Sequence, residues 1–429
     1  MSSSGQWKSY RLSEVGRFLG GATPSTSVPE YWSGDIHWAT SKVLGPGYTL
    51  RCGERFISSR AVAESSSSLV PKGNVIVGTR VGVGKTAVNS LDMAISQDLT
   101  GIVVDVDRFD PYFLAFCLAQ PMLQAEFAGR ERGTTIQGIP RGDLESLVIL
   151  APCLADQRTI ASVLKRAHVS LEVEVTAQAV ASDLKRSTMS ELFKRGLRRE
   201  AQKDSDIGLV PESWEVVPLG SLGRIGNGST PRKSDEQYWE GGRFPWLTSA
   251  KVYDREITAA DQFVTETALR ECHLPIVEPG AVLIAITGQG KTLGHSAVLR
   301  TRATLNQHLA YLATDLDRAD PSFVRGYLET QYQRFRQVGA GGGSTKGALT
   351  CAYLRSVPIP LPRSLGEQRE IAAILDAMDR KIDLHRRKRA VLDELFKALL
   401  HKLMTGEIGV TDLNLDALAE TLPSPGASS

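Results

Sequence analysis

Two short runs, GVGKT from Gly82 and GQGKT from Gly288, invite a phosphate-binding reading. Glycines let a backbone close around an anion, and a lysine neutralises it. A nucleotide-binding loop also needs a glycine five residues before the final Gly-Lys. Thr79 and Ala285 stand at those positions, so nucleotide hydrolysis is not expected. The turns still suit a polyanion approaching from outside, with Arg80, Lys85 and Lys291 as candidate donors to DNA phosphates. A hairpin turn carrying a solvated lysine accounts for the same residues, and spacing alone does not choose.

Other catalytic arrangements fail as well. There are no convincing paired carboxylates followed by lysine for a metal nuclease, no Gly-x-Ser-x-Gly, and no cysteine–histidine pairing. Asp110-Pro111-Tyr112-Phe113 lacks the second proline of an amino-methyltransferase motif. A helix start, with Asp capping and Pro in the first turn, explains it. Five scattered cysteines without a Cys-x-x-Cys pair read as reduced, half-buried thiols in a cytoplasmic protein. The seven histidines show no metal-ligand spacing. No active site, metal or cofactor is therefore expected on this chain. Cationic loops and helix faces remain. Arg130 and Arg132 lie in GRERGTTIQG, Thr345 and Lys346 in GAGGGSTKG, and Arg386, Arg387 and Lys388 in HRRKR. All are candidate DNA contacts, and a solvated face is the alternative for HRRKR.

Composition narrows the class without deciding it. The 429 residues suffice for about two to four domains. A hydrophobic content of 42% and a charged content of 23% are ordinary for a soluble chain. No apolar run is long enough to span a membrane, and the N-terminus lacks the apolar stretch of a secretory signal. A formal charge of +2 neither demands nor excludes nucleic acid.

The decisive feature is duplication. Gly16 meets Gly223, Gly21 meets Gly228, Thr23-Pro24 meets Thr230-Pro231, and Tyr31-Trp32 meets Tyr238-Trp239, all at one offset. Trp38 then meets Trp246, Gln97 meets Gln307, and Asp110-Pro111 meets Asp320-Pro321. ADQRTIASVL faces GEQREIAAIL, and SELFK faces DELFK. The repeated aromatics suit a shared core better than target-specific contact. Residues 45–70 and 254–278 share little beyond length. One frame with two variable faces is what two different targets require, although drift in surface loops explains either stretch alone.

These residues need elements to position them. Residues 1–153 form a first mixed α/β domain, and residues 201–363 a polar linker with a second. Each domain precedes a long helix, 154–200 and 364–406, and residues 407–429 form a flexible tail. In the second helix Ile371, Met378, Leu392 and Leu399 make one seven-residue ladder, and Leu375, Ile382, Phe396 and Leu403 another. Together they form a single apolar seam that needs a partner helix. Antiparallel pairing of the two helices sets Glu174 and Gln178 against His385 and Arg389 as a polar register layer. A rod of about forty residues spans roughly 60 Å. The first arm is longer between its motifs, Ile160 to Leu192 against Ile371 to Leu395.

Two variable modules, each followed by a helix opening DQR or EQR and carrying ELFK, resemble the DNA specificity subunit of type I restriction–modification systems. The linker GLVPESWEVVPLG and the ending LFKALLHKLMTGEI strengthen the resemblance, which covers essentially the whole chain. It implies two target recognition domains in pseudo-twofold arrangement, joined by antiparallel helices in a coiled coil that acts as a ruler. It implies a non-catalytic reader of a bipartite, asymmetric sequence in double-stranded DNA. Expected partners are two copies of a methylating subunit holding S-adenosylmethionine and a motor-nuclease subunit using ATP and magnesium. The alternatives are a methylation-only complex, a self-sufficient methyltransferase or nuclease, and a coiled-coil adaptor that binds no DNA.

Overall fold

The repeat in the sequence is a repeat of topology. The computed structural model describes residues 7–133, 137–288, 291–341 and 348–413. It divides into two compact units, Met1–Gln178 with His385–Ser429, and Ala179–Leu384. Each unit holds one sheet-rich domain and part of each of two long helices.

In the first unit the helices are α1 (Ser59–Glu64), α2 (Pro111–Leu118), α3 (Pro121–Arg130), α4 (Arg141–Glu145) and the first part of α5 (Leu154–Arg195). A five-stranded sheet runs Gly16–Gly20, Leu99–Val104, Val75–Gly78, Thr86–Asn89, Thr49–Leu50. Its last pair is parallel and the others antiparallel. A four-stranded sheet orders Arg55–Ile57, Ile36–Ala39, Met93–Ile95, Leu69–Val70. The central strands Val75–Gly78 and Thr86–Asn89 are buried along their whole length, which is why their sequence is a continuous run and does not alternate.

The second unit holds α6 (Glu266–Glu271), α7 (Pro321–Thr330), α8 (Tyr332–Gly341), α9 (Cys351–Ser356) and the first part of α10 (Leu365–Met404). Its five-stranded sheet, Gly223–Asn227, Leu309–Thr314, Val282–Ala285, Ser296–Leu299, Glu256–Ile257, repeats the order and senses of the first. Asp110 and Asp320 cap α2 and α7 by accepting from the amides of Phe113 and Phe323, with proline next in line. The fold is mixed α/β in both copies.

The diverged stretches 45–70 and 254–278 fold alike. Each supplies a strand parallel to the neighbouring hairpin, a second short strand and a six-residue helix. Ser58 caps α1 through the amide of Ala61, and Thr265 caps α6 through that of Ala268. The two copies thus carry different side chains on one backbone.

Each long helix is fastened to its domain by a buried glutamine. Gln157 accepts from Asp110 N at 3.0 Å and donates to the carbonyls of Arg108 (3.1 Å) and Pro152 (2.9 Å). Gln368 does the same with Asp320 N (2.7 Å), Arg318 O (3.2 Å) and Pro362 O (2.9 Å). This clasp is the physical content of the DQR and EQR signatures.

Four expectations need correcting. The helices are nearly equal, 42 and 40 residues. The first stops just after its SELFK, whereas the second runs on through Met404, so the motifs do not occupy matching places. The segment between α5 and the second domain is more than a polar linker. Gln202–Lys203 pairs with Val210–Pro211, Glu215–Pro218 pairs with Pro358–Leu361, and Trp214 is fully buried. Of the tail, Ile408, Val410 and Leu413 pack on the first core, and residues 414–429 lie outside the described residues. The cysteines are free but not uniformly half-buried: Cys117 is buried, Cys52 and Cys153 exposed.

Candidate nucleic-acid interface and helix layers

The first glycine–lysine turn is a hairpin between buried strands, and the second lies between the antiparallel strands Val282–Ala285 and Ser296–Leu299. Gly82 and Gly84 have φ of 66° and 80°, a left-handed backbone that favours glycine. The amide of Gly84 donates to Gly78 O and that of Lys85 to Gly82 O. These two amides are spent inside the hairpin and are not free to cradle a phosphate. The side chains of Arg80 and Lys85 are exposed. In the second copy Gly294 N donates to Ala285 O, Lys291 is exposed, and its carbonyl accepts from the Tyr332 hydroxyl at 2.8 Å. Gln289 and Gly290 lie outside the described residues.

Arg130 is a poorer donor than its sequence context suggests. Its guanidinium is engaged by Glu126 at 2.8 Å, the Asp143 carbonyl at 3.1 Å and Ser146 Oγ at 2.8 Å, so it ties α3 to α4. Arg132 pairs with Asp143 at 2.8 Å on the surface. Thr345 and Lys346 lie outside the described residues.

The repeated aromatics make the same bonds in both copies. Trp32 meets Trp38 edge-on at 5.2 Å, and Trp239 meets Trp246 at 5.1 Å. The Trp38 and Trp246 indoles donate to Ala22 O and Ser229 O, which fixes the following Thr-Pro turns. On those turns Thr23 donates to Gln97 and Thr230 to Gln307. Both pairs are solvent-facing. Sequence alignment matched these residues but gave no sign that they touch.

Within each unit the two helices run antiparallel. In the first, α5 advances from His168 to Glu174 as its contacts on α10 fall back from Phe396 to His385. Glu174 Oε2 lies 2.6 Å from His385 Nδ1, and Lys388 Nζ lies 3.7 Å from Glu174 Oε1. Gln178 is half-buried, while Arg386, Arg387 and Arg389 are exposed.

A second helix layer, which sequence reading missed, seats each domain. In the first unit it is aromatic. Tyr48 packs on Phe116 (4.5 Å), His168 (5.0 Å) and Phe396 (5.9 Å), and His168 lies 5.2 Å from Phe396. Burial pushes the Tyr48 hydroxyl up to about 12 and lowers His168, against the raising influence of Glu172. In the second unit the layer is ionic. Lys185 Nζ bonds Asp379 at 2.7 Å and Glu329 at 2.5 Å. Arg325 reaches Asp379 at 3.3 Å and Asp376 at 3.5 Å, and Arg255 binds Asp379 and Asp383. Lys185 and Arg325 side chains are only 6% and 4% exposed, so these charges are committed to one another. Burial raises the Asp376 carboxyl.

No group of three or more histidine, cysteine or acidic residues among the described residues could hold a metal ion. No described helix is long and apolar enough to cross a membrane.

The fold is thus a duplicated α/β domain, each copy clasped to one long helix and completed by the far end of the other. The chain belongs to the type I restriction modification DNA specificity domain family, whose model matches residues 4–178 and 211–394. It is 23% identical over 418 residues to the type I restriction enzyme MjaIX specificity subunit of Methanocaldococcus jannaschii, covering 95% of this chain and 94% of that one. It is 28% identical over 313 residues to the putative MjaX specificity subunit of the same organism, covering 71% and 69%. The fold matches the crystal structure of a type I restriction–modification S subunit from M. genitalium. There the TM-score is 0.64 at 16% identity, over 94% of this chain and 97% of that one.

Proposed function

We propose that the chain is a non-catalytic reader of a bipartite, asymmetric DNA target. One domain reads each half-site, the helices set the gap between them, and partner subunits carry out the chemistry. The single observation that carries this reading is the pair of diverged stretches, 45–70 and 254–278, which hold different side chains on the same strand–strand–helix frame. Family membership supports the same reading.

The domains proposed are 1–153 and 201–363, with helical arms at 154–200 and 364–406. Phosphate contact falls to Arg80, Lys85 and Lys291 on the domains and to Arg386, Arg387 and Lys388 on the arm. The reader works in the cytoplasm with two copies of a methylating subunit, which brings S-adenosylmethionine. A motor-nuclease subunit using ATP and magnesium completes restriction.

Two equivalent sets of exposed apolar side chains support the double stoichiometry. The first unit exposes Val173, Val391 and Leu395, and the second Leu384, Val180 and Leu184, at matching helix positions. Such residues want a partner.

Exchanging the exposed side chains of 45–70 for those of another subunit should change one half-site and leave the other and the gap untouched. A change in both halves, or in neither, contradicts the proposal.

A further inference from the structure

The aromatic and ionic layers occupy one place in the duplicated frame. Tyr48 and Arg255 are equivalent, since each gives its carbonyl to the matching strand, to Val88 N and Val298 N. Helix α2 presents Ala115 and Phe116 where α7 presents Arg325 and Gly326, counted from the shared Asp-Pro start. Counted from the shared glutamine clasp, His168 of α5 stands where Asp379 stands in α10. Phe396 and Lys185, from the far end of the other helix, complete the two layers.

We infer that these layers form a pairing code that makes α5 and α10 of one chain close on each other and rejects the same helix from a second copy. Apolar packing alone does not discriminate, because α5 also buries apolar side chains, among them Ile160, Leu164, Met189 and Phe193. The buried layers do. If α5 paired with α5 of another copy, Lys185 would enter the aromatic layer, where Glu172 is already beside His168. If α10 paired with α10, Phe396 would enter the ionic layer in place of Lys185 and leave Asp379 and Glu329 short of one buried cation, with only Arg255 and Arg325 to answer them. Removing one partner of a buried ion pair is far more costly than the pair is worth.

The middle of the helices agrees. Within the chain Glu174 faces His385 and Lys388. Counted from the same clasp, Glu174 and His385 hold matching positions. Self-pairing would therefore set Glu174 against Glu174, or His385-Arg386-Arg387-Lys388 against its own copy. Arg255 sits at φ 59°, a conformation uncommon outside glycine. The code keeps two unlike domains on one scaffold, whatever those domains bind.

Sedimentation of the full-length chain tests it. A background variant, Glu174→Gln with His385→Gln, weakens the central preference and should stay monomeric. Adding Lys185→Phe and Phe396→Lys makes every buried layer fit the same helix of a second copy. That chain should self-associate, with the monomer depleted as concentration rises. A four-substitution chain that stays monomeric overturns the code. Should it not fold, Lys185→Leu and Phe396→Leu decide the matter. Leucine fits an aromatic layer and takes a buried cation from an ionic one, so the first should lower the unfolding midpoint at least about twice as much. Equal losses overturn the inference.

Discussion

Gln157 and Gln368 are almost wholly buried, and each satisfies one amide and two carbonyls at the root of a long helix. Alanine at either position leaves three backbone groups without partners. A loss of about 2–4 kcal/mol in unfolding free energy is expected, since unsatisfied buried groups cost about 1–3 kcal/mol each and part of that is recovered by water. Denaturant titration measures it, and a loss below about 0.5 kcal/mol would mean the clasp is incidental. His168 makes a prediction with a sign. Burial holds its imidazole below the ordinary value near 6.5, so the unfolded chain takes up the proton first. Its contribution is complete above that value and is lost as pH falls through it towards the lower folded value. Tyr48 and Phe396 pack on the ring, and Glu172 opposes the shift. His168→Phe should therefore flatten the loss of stability between about pH 7.5 and 5. An unchanged slope would place the acid sensitivity elsewhere.

The elements themselves were largely legible. Asp-Pro announced two helices, the absence of proline and the two ladders announced the long ones, and the duplication announced that both halves would share one mixed α/β frame. What stayed hidden depends on atoms meeting across long separations. Lys185 and Asp379 touch although they stand on different helices, and no local pattern marks either. Composition made the segment around Trp214 look like linker, yet its one large side chain is fully buried. Equal ELFK motifs suggested unequal arms, because a motif shows kinship and not where a helix stops. The exposed apolar sets make the element-scale prediction. Leu184→Asp with Leu395→Asp should abolish co-purification of the methylating partner while leaving DNA affinity intact. Normal co-purification would remove these residues from the docking surface.

For the molecule as a whole, binding is expected to combine a salt-dependent hold on phosphates with two separate readings of base sequence. Lys85→Ala and Lys291→Ala should each weaken binding to every DNA sequence and reduce the salt slope by about one. Unchanged affinity would return both hairpins to a purely structural role. The central claim, that one chain reads two unlike half-sites at a fixed separation, is tested most directly by mapping methylated adenines across host DNA with and without the gene for this chain. The account predicts loss of methylation at one asymmetric bipartite sequence with a constant gap. Loss at a single contiguous palindrome, or no loss at all, would contradict it.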